Sequence, residues 1–352
     1  MSMTLFGQVP EGDVYQVCLR NRRGFEAKII SLGASLRSLK VPDAKGRLRD
    51  VVLGYDEAAA YEKNPYYFGA TIGRYAGRIA GAAFEWEGRQ YRLEANEGKN
   101  QLHGGPYGFS SRLWMPIVIS EQEVLFRLVS PAGEMGFPGR VDVELRYRLA
   151  GNALHMEYQA FCDETTPLSL THHSYFNLGG HDSPSVGQHR LQIFADRYTP
   201  TGADMIPTGE IRPVEGSCLD LRQPVKLQEL LEAEELSKTR GLDHNFVLNP
   251  SSGPKAILFA PEDELSMEVY TDRPGLQVYT AGFLGEEYGK EGAFYRPGQG
   301  ICLETQGFPD AMHHENFPSC LLRPGELWHS ETIYRFEGSG ISDSRKAQMI
   351  YL

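Results

Sequence analysis

Hydrophobic and polar residues alternate along much of the chain. In VDVELRYRLA, residues 141–150, every second residue is apolar and the residues between are mostly charged. ALHMEYQAFC, residues 153–162, has the same pattern, and VLFRLVS, AILFAPED, LSMEVYTD and LQVYTAGF are shorter runs between Gly, Pro and Asp turn signals. Because successive side chains of a strand point to opposite faces, the pattern predicts strands with one buried face.

A helical period is found in VKLQELLEAEELSK, residues 225–238. Its leucines are spaced to form an apolar stripe, and Gly241 follows as a plausible stop. Many short strands with few helices predict an all-β fold, built as an antiparallel sandwich or barrel. There is no fixed-period repeat, low-complexity linker or break in composition, so we expect residues 1–352 to form a single domain.

Composition excludes several classes of protein. The chain of 352 residues is 41% hydrophobic, which is ample for a large core, and its net charge of -11 disfavours nucleic-acid and anionic-membrane partners. No apolar run approaches the roughly 20 residues of a spanning helix. The start MSMTLFGQVPEGD does not resemble a signal peptide. The five scattered cysteines include no C-x-x-C pair, so we expect neither a disulfide framework nor a structural zinc site. We therefore predict a soluble, cytoplasmic protein.

Two adjacent histidines stand in THHSYFNLGG, residues 171–180. If this segment is extended, His173 and Tyr175 face one way and His172 faces the other. Only one histidine can then enter a shared cavity, and the alternation does not say which. A histidine in a strand more often has a structural role than a catalytic one, so the pattern alone does not assign chemistry to either.

A glutamate follows an apolar run in GICLETQGFPDAMHHENFPS, residues 300–319. At the end of a buried strand, Glu304 would lose solvation and its pKa would rise, which is typical of a general base. These residues alone favour a half-exposed Glu304 beside the turn. His313, His314 and Glu315 lack H-E-x-x-H spacing, so no metal site is predicted.

Three further stretches place polar groups in apolar surroundings. NQLHGG puts His103 before two glycines, where the backbone can approach a ligand. GRYAGRIAG carries Arg74 and Arg78 among glycines. It does not follow a strand in a βαβ pattern, so the evidence that it is a nucleotide-binding loop is weak. In GLDHNFVL, Asp243 is most simply interpreted as the aspartate of an ordinary turn.

Aromatic residues flank these polar groups. The apolar C–H faces of a sugar fit aromatic rings, and its hydroxyls need directed hydrogen bonds, although most aromatics of a β protein are core. The flanking aromatics are Tyr66, Tyr67, Phe68, Tyr107, Phe109, Tyr175, Phe176, Phe283 and Phe308.

Taken together and in chain order, GATIGRYAGRIA, NQLHGG, HSYFNL, LDHNFVL, PGLQVYTAGFL and LETQGFPDA resemble the aldose 1-epimerases, the galactose mutarotase family. The resemblance implies a large antiparallel β-sandwich, the galactose mutarotase-like supersandwich, with an open cleft and few short helices. It also implies a cofactor-independent enzyme that interconverts the α- and β-anomers of free hexoses such as galactose and glucose.

The resemblance further implies roles for individual residues. His173 corresponds to the family's general acid and Glu304 to its general base, while His172 is left with local hydrogen bonding. Gly77 stands where the family carries an asparagine. The sugar contact that the asparagine side chain makes in the family is therefore missing here. The residues expected at the sugar are Arg78, His103, Tyr175, Asp243 and Gln277.

Ring opening needs a base at the C1 hydroxyl and an acid at the ring oxygen, and it needs no metal or redox cofactor. For His173 to begin as the acid it must be protonated, and we expect a nearby Asp243 or Glu304 to raise its pKa. The expected partner is a monosaccharide, with no nucleic acid and no membrane, and the protein is expected to be a monomer or homodimer.

Three alternatives stay open at this point. A hexose-6-phosphate mutarotase could hold the phosphate with Arg74, Arg78 and Arg212. A glycoside hydrolase could use Asp243 and Glu304 as its two carboxylates. A carbohydrate-binding protein could share the fold without catalysis.

Overall fold

The computed structural model describes residues 2–43 and 45–338. The described chain is built mainly of antiparallel strands, and its two α-helices are short, Ala58–Lys63 and Leu227–Leu231. The predicted all-β antiparallel fold is confirmed. Among the described residues, no helix is long and apolar enough to cross a membrane.

Three large sheets make up most of the fold. The nine-stranded sheet runs, in spatial order, through Met115–Ser120, Glu123–Ser130, Val141–Ala150, Ala153–Cys162, Trp328–Gly338, Leu265–Thr271, Ala256–Phe259, Arg190–Ile193 and Val225–Lys226. The six-stranded sheet runs through Tyr175–Phe176, Ile301–Gln306, Gly275–Tyr279, Asp243–Val247, Arg197–Thr199 and Arg212–Pro213. The five-stranded sheet runs through Ser2–Val9, Gly12–Arg20, Glu26–Ile30, Ser35–Pro42 and Leu48–Asp50.

Five two-stranded ladders and seven 3₁₀ turns complete the described elements. The ladders are Ala70–Ile72 with Thr171–His173, Arg78–Ile79 with Gln101–Leu102, Ala83–Trp86 with Arg89–Arg92, Thr166–Pro167 with Leu321–Leu322, and Glu287–Tyr288 with Phe294–Tyr295. The 3₁₀ turns are Ala80–Ala82, Phe109–Ser111, Glu134–Gly136, Glu234–Leu236, Pro261–Asp263, Lys290–Gly292 and Ala311–His313.

The three large sheets share one hydrophobic core. The inward residues of Val141–Ala150 alternate as the sequence predicts, and Leu145 at the middle of that strand is fully buried. The same core includes Leu19 from the five-stranded sheet and Leu276 and Leu303 from the six-stranded sheet. Full burial of such a side chain contributes about 1.5–3 kcal/mol, so the shared core fixes the sheets relative to one another.

The helix predicted over residues 225–238 is only partly present. The structure instead has the strand Val225–Lys226, the helix Leu227–Leu231 and the 3₁₀ turn Glu234–Leu236. Ala233 has an extended backbone, which interrupts the helix although the leucines on either side still reach the core. Gly241, with φ of +109°, follows the 3₁₀ turn and donates its N–H to Leu236 O at 3.1 Å.

The six-stranded sheet has two different faces. Along Ile301–Gln306, Ile301 and Leu303 point into the hydrophobic core, whereas Glu304 and Gln306 point into a cavity on the other side. The neighbouring strands alternate in the same way, because successive strand residues face opposite sides. The cavity face of this sheet is therefore the floor of the candidate site.

Candidate active site

A cavity of about 260 Å³ lies over the six-stranded sheet. Its floor is a set of polar and aromatic side chains on that sheet, and its walls come from the loops around it. The floor residues are Tyr175, Thr199, Asp243, Asn245, Gln277, Tyr279, Glu304 and Gln306. The wall residues include Tyr66, Tyr67, Arg78, Glu97, His103, His173 and Phe283. All seven site residues predicted from the sequence line this cavity.

Strand register aligns one row of the floor. Glu304 pairs with Gln277, Gln277 with Asn245, and Asn245 with Thr199, each on the next strand of the sheet. Directly opposed residues on one face are about 5 Å apart, so the row presents a continuous line of hydrogen-bonding groups. Glu304 Oε2, Asn245 Oδ1 and both polar side-chain atoms of Gln306 are buried and have no hydrogen-bond partner within the described residues. Such groups suit a ligand with many hydroxyls.

The two adjacent histidines point to opposite sides of their strand, as the alternation predicts. His173 faces the cavity, where its Nε2 lies 3.6 Å from Glu304 Oε1, and its Nδ1 lies 3.5 Å from Cys302 Sγ. His172 faces away, with its Nδ1 3.0 Å from Ser174 Oγ and its ring against Tyr147. Of these two adjacent histidines, His173 is therefore the one that can meet a ligand in the cavity.

Glu304 is buried, with 2% of its surface exposed, so the half-exposed position favoured by the sequence is wrong. Every residue of Ile301–Gln306 is buried, because one face meets the core and the other lies at the bottom of the cavity. Burial raises the pKa of Glu304 well above its usual value, and the nearby charge of Asp243 adds to the rise. Arg78 acts in the opposite direction.

The expected rise in the pKa of His173 is not found. Burial lowers the pKa of His173 to about 4, although Glu304 is close. The same burial disfavours charge on both partners, since a buried charge loses its hydration. Burial therefore favours the uncharged form of the pair, with the shared proton on the Glu304 carboxyl.

Asp243 begins the strand Asp243–Val247 instead of forming an isolated turn. Gln277 Nε2 donates to Asp243 Oδ1 at 2.6 Å, which leaves the other carboxylate oxygen for a ligand. Burial raises the pKa of Asp243, while Arg78 and the Gln277 hydrogen bond oppose that rise.

His103 is held in one tautomer by the backbone. Gly77 N–H donates to His103 Nδ1 at 3.2 Å, so the neutral ring carries its proton on Nε2. Burial, together with His173 and Arg78, lowers the pKa of His103 well below its usual value. His103 is thus a neutral hydrogen-bond donor. Its following glycines serve the fold: a Cβ at Gly104 would lie 2.0 Å from Gly73 O.

A resident metal does not fit these residues. Within the described residues, the one group of three side chains close enough for an ion is His103, His173 and Glu304, whose ligand atoms lie within 4.8 Å of one another. A metal-bound histidine normally donates its other N–H to an acceptor. His103 instead faces a donor, Gly77 N–H, so neither of its nitrogens can bind a metal without breaking that arrangement.

Two of the three arginines considered for phosphate binding lie elsewhere. Arg74 is 2% exposed and donates to Ser130 Oγ and to the carbonyls of Ser130, Pro131 and Pro138 within the core. Arg212 is exposed and pairs with Glu210. Only Arg78 lines the cavity.

Sequence reasoning missed Glu97, Thr199, Asn245, Tyr279 and Gln306 of the cavity. Period-two counting from Asp243, Gln277 and Glu304 would have found Asn245, Tyr279 and Gln306. Of the aromatics expected near a sugar, the cavity includes Tyr66, Tyr67, Tyr175 and Phe283, whereas Phe109 and Phe176 belong to the core.

The cavity has a polar floor with a buried histidine–glutamate pair and aromatic walls, an arrangement whose chemistry suits a polyhydroxylated ligand. The sequence profile of the family described as aldose 1-epimerase matches residues 15–335. The chain is 43% identical to the galactose mutarotase of Rattus norvegicus over 96% of this chain and 98% of that protein. It is 36% identical to the aldose 1-epimerase of Escherichia coli K12, over 93% and 96%.

Solved structures agree with the sequence comparisons. An aldose epimerase homologue from C. elegans superposes with a TM-score of 0.87 at 30% identity, covering 92% of this chain and 98% of that one. A galactose 1-epimerase from Lactobacillus acidophilus has a TM-score of 0.84 at 26% identity, covering 96% and 98%. The chain belongs to the aldose 1-epimerase family, and it is an isomerase.

Proposed function

We propose that the protein interconverts the α- and β-anomers of free hexoses such as galactose and glucose, with Glu304 as general base and His173 as general acid. The observation that carries the proposal is the 3.6 Å separation of His173 Nε2 and Glu304 Oε1 at the bottom of the cavity. A sugar ring lying over the pair, on its cavity side, would place its C1 hydroxyl and ring oxygen, which are bonded to the same carbon, beside the two groups.

The reaction needs two proton transfers. Glu304 takes the proton of the C1 hydroxyl while His173 gives a proton to the departing ring oxygen, and the bond between C1 and the ring oxygen breaks. The free aldehyde rotates, the ring closes on its other face, and each proton returns. The chain's own side chains carry all of these steps.

The protonation state of the pair supports this scheme. A protonated Glu304 beside a neutral His173 holds the same single proton as an ionised Glu304 beside a protonated His173. The positive charge of Arg78 favours the second form, because it stabilises the ionised carboxylate and opposes the rise in the pKa of Glu304. Sugar hydroxyls that hydrogen-bond the carboxylate also favour it. Binding then moves one proton across the pair and takes none from solvent.

The five other predicted site residues are placed to hold the sugar. Arg78, His103 and Gln277 offer N–H donors, the free oxygen of Asp243 accepts, and the ring of Tyr175 lies beside His173. Gly77 N–H donates a hydrogen bond to His103 and so holds that ring in place. It therefore does not replace the sugar contact made by the family's asparagine.

The alternatives have less support. A phosphate site built on three arginines is disfavoured because Arg74 and Arg212 lie outside the cavity. A hydrolase that uses Asp243 and Glu304 leaves the paired His173 without a function. A binding protein without activity has no need for a buried, paired proton donor and acceptor.

The test is the optical rotation of freshly dissolved α-D-galactose and α-D-glucose, corrected for spontaneous mutarotation, with α-D-glucose 6-phosphate in parallel. We expect acceleration with the free sugars, a much smaller effect with the phosphate, and loss of acceleration in Glu304→Gln. No acceleration of either free sugar by folded wild-type protein would reject the proposal.

We also propose that the chain forms one domain over its described residues; residues 1, 44 and 339–352 of the predicted domain 1–352 lie outside them. In support, the main hydrophobic core extends from Val17 to Phe336 of the described chain. The cytoplasmic location, and the monomeric or homodimeric state, stay predictions.

A further inference from the structure

A carboxylate outside the predicted site reaches into the cavity from its wall. Glu97 belongs to the loop EANEGKN, residues 94–100, which leads into the strand Gln101–Leu102. That strand pairs with Arg78–Ile79, and Leu102 lies opposite Arg78. The ladder thus brings the loop directly beside the guanidinium that lines the cavity.

Glu97 and Arg78 make a two-point ion pair. Arg78 Nε donates to Glu97 Oε2 at 2.6 Å, and Arg78 Nη2 donates to Glu97 Oε1 at 2.7 Å. Burial alone would lower the pKa of Arg78, but the bonds to Glu97 and the nearby charges of Asp243 and Glu304 raise it above its usual value. The paired geometry fixes the plane of the guanidinium as well as its charge.

Both partners keep capacity for a ligand. Arg78 Nη1 makes no hydrogen bond to another described residue, so its two N–H groups are available in the cavity. A carboxylate has about four acceptor positions, and Arg78 uses two of those on Glu97. The Glu97 side chain is 37% exposed and also lines the cavity.

We propose that Glu97 is a specificity residue that positions Arg78, and that the Arg78–Glu97 pair binds two adjacent hydroxyls of the sugar. One hydroxyl accepts a hydrogen bond from Arg78 Nη1, and its neighbour donates one to Glu97. The proposal rests on the proposed mutarotase function and assigns a part of the substrate, a vicinal diol, to this wall of the cavity. Gly77 has no side chain that could contact the sugar. In this proposal the Arg78–Glu97 pair supplies a polar contact on that side of the cavity.

The test is a set of thermodynamic cycles between Glu97→Gln and sugars that each lack one hydroxyl. Mutarotation kinetics are measured for D-galactose and its 2-, 3-, 4- and 6-deoxy analogues. Glu94→Gln is the matched control, because Glu94 is an exposed carboxylate of the same loop that makes no contact with Arg78.

We expect Glu97→Gln to raise KM for galactose roughly tenfold, since a charged hydrogen bond of a partly exposed group is replaced by a neutral one. kcat should stay within about threefold, because the contact is equal in ground and transition states. For the two deoxy sugars that lack one hydroxyl of the proposed diol, the difference in KM between wild type and variant should be smaller than for galactose, and for the other two it should match that of galactose. Glu94→Gln should match wild type.

Two results would overturn the proposal. One is a Glu97→Gln variant whose KM for every sugar equals that of wild type. The other is an increase in KM that is the same for all the deoxy sugars, which would mean that Glu97 supports the fold of the loop and contacts no hydroxyl. Failure of wild type to accelerate any free sugar would instead reject the underlying function, so the two failures are distinguishable.

Discussion

Substitution of Arg74 tests whether this residue belongs to the core of the protein or to its ligand site. Sequence patterns place it with Arg78 as a possible anion ligand, whereas the structure buries it in the core against Phe137 and three backbone carbonyls. We consider Arg74→Met, which keeps an unbranched side chain and removes the charge and all of its donors. The structure predicts a loss of stability and no change in sugar binding.

The magnitude follows from two opposing effects. Burial lowers the pKa of Arg74 from 12.5 to about 10, so holding the charge in the core costs about 3 kcal/mol. Against this, Arg74 makes four hydrogen bonds of 2.7–3.1 Å to Ser130, Pro131 and Pro138. At about 1.5 kcal/mol for each bond from a charged donor, they contribute about 6 kcal/mol. The variant should therefore lose about 3 kcal/mol.

The assay is equilibrium unfolding in urea, with galactose kinetics measured on the folded protein. We expect a lower midpoint with an unchanged denaturant slope, and KM within twofold of wild type. Arg212→Met is the matched control, because Arg212 is an exposed arginine whose surface ion pair should change stability by less than about 0.5 kcal/mol. An Arg74→Met variant that is as stable as wild type, or one with a selective defect on glucose 6-phosphate, would refute the reasoning.

Two further predictions concern pH and a second buried charge. Since the active pair holds one proton, kcat/KM should fall as pH drops toward about 4, where the pair takes a second proton on His173. It should also fall at higher pH, once the pH exceeds the raised pKa of Glu304 and the pair loses its proton. An acid-side decline centred near pH 6.5 would contradict this. Lys290 Nζ donates to Asp50 Oδ2 at 2.7 Å in the interior, so Lys290→Met should cost about 3–5 kcal/mol by leaving the Asp50 carboxylate unpaired. Urea unfolding checks this, and wild-type stability would count against it.

Much of the fold could be predicted from period-two alternation. Strands Val141–Ala150 and Ala153–Cys162 are long, pair with each other and have one apolar face, so the pattern is strong. The same alternation correctly separates His172 from His173. The helix over residues 225–238 fails because leucine spacing records which residues are buried, and an extended Ala233 can bury the same leucines without a continuous helix.

The site was harder to predict from pattern alone. The cavity face of Ile301–Gln306 carries Glu304 and Gln306, which look like solvent-facing residues in sequence although both are buried. Glu97 lies in a polar loop and reaches Arg78 only through a two-residue ladder, which is too short to leave a periodic signal. The resemblance to a family located the predicted site residues, but it did not reveal the Arg78–Glu97 pair.

The most direct measurement of the central claim is a double-mutant cycle on the acid–base pair. Mutarotation of α-D-galactose is followed by optical rotation for wild type, Glu304→Gln, His173→Asn and the double variant, each shown to be folded. Acid–base catalysis contributes about 10²–10⁴-fold, and groups that act together are not additive. We expect each single variant to lose at least about 10²-fold in kcat/KM and the double variant to lose little more. A single variant that keeps kcat/KM within about tenfold of wild type, or losses that multiply in the double variant, would contradict a shared proton transfer between His173 and Glu304.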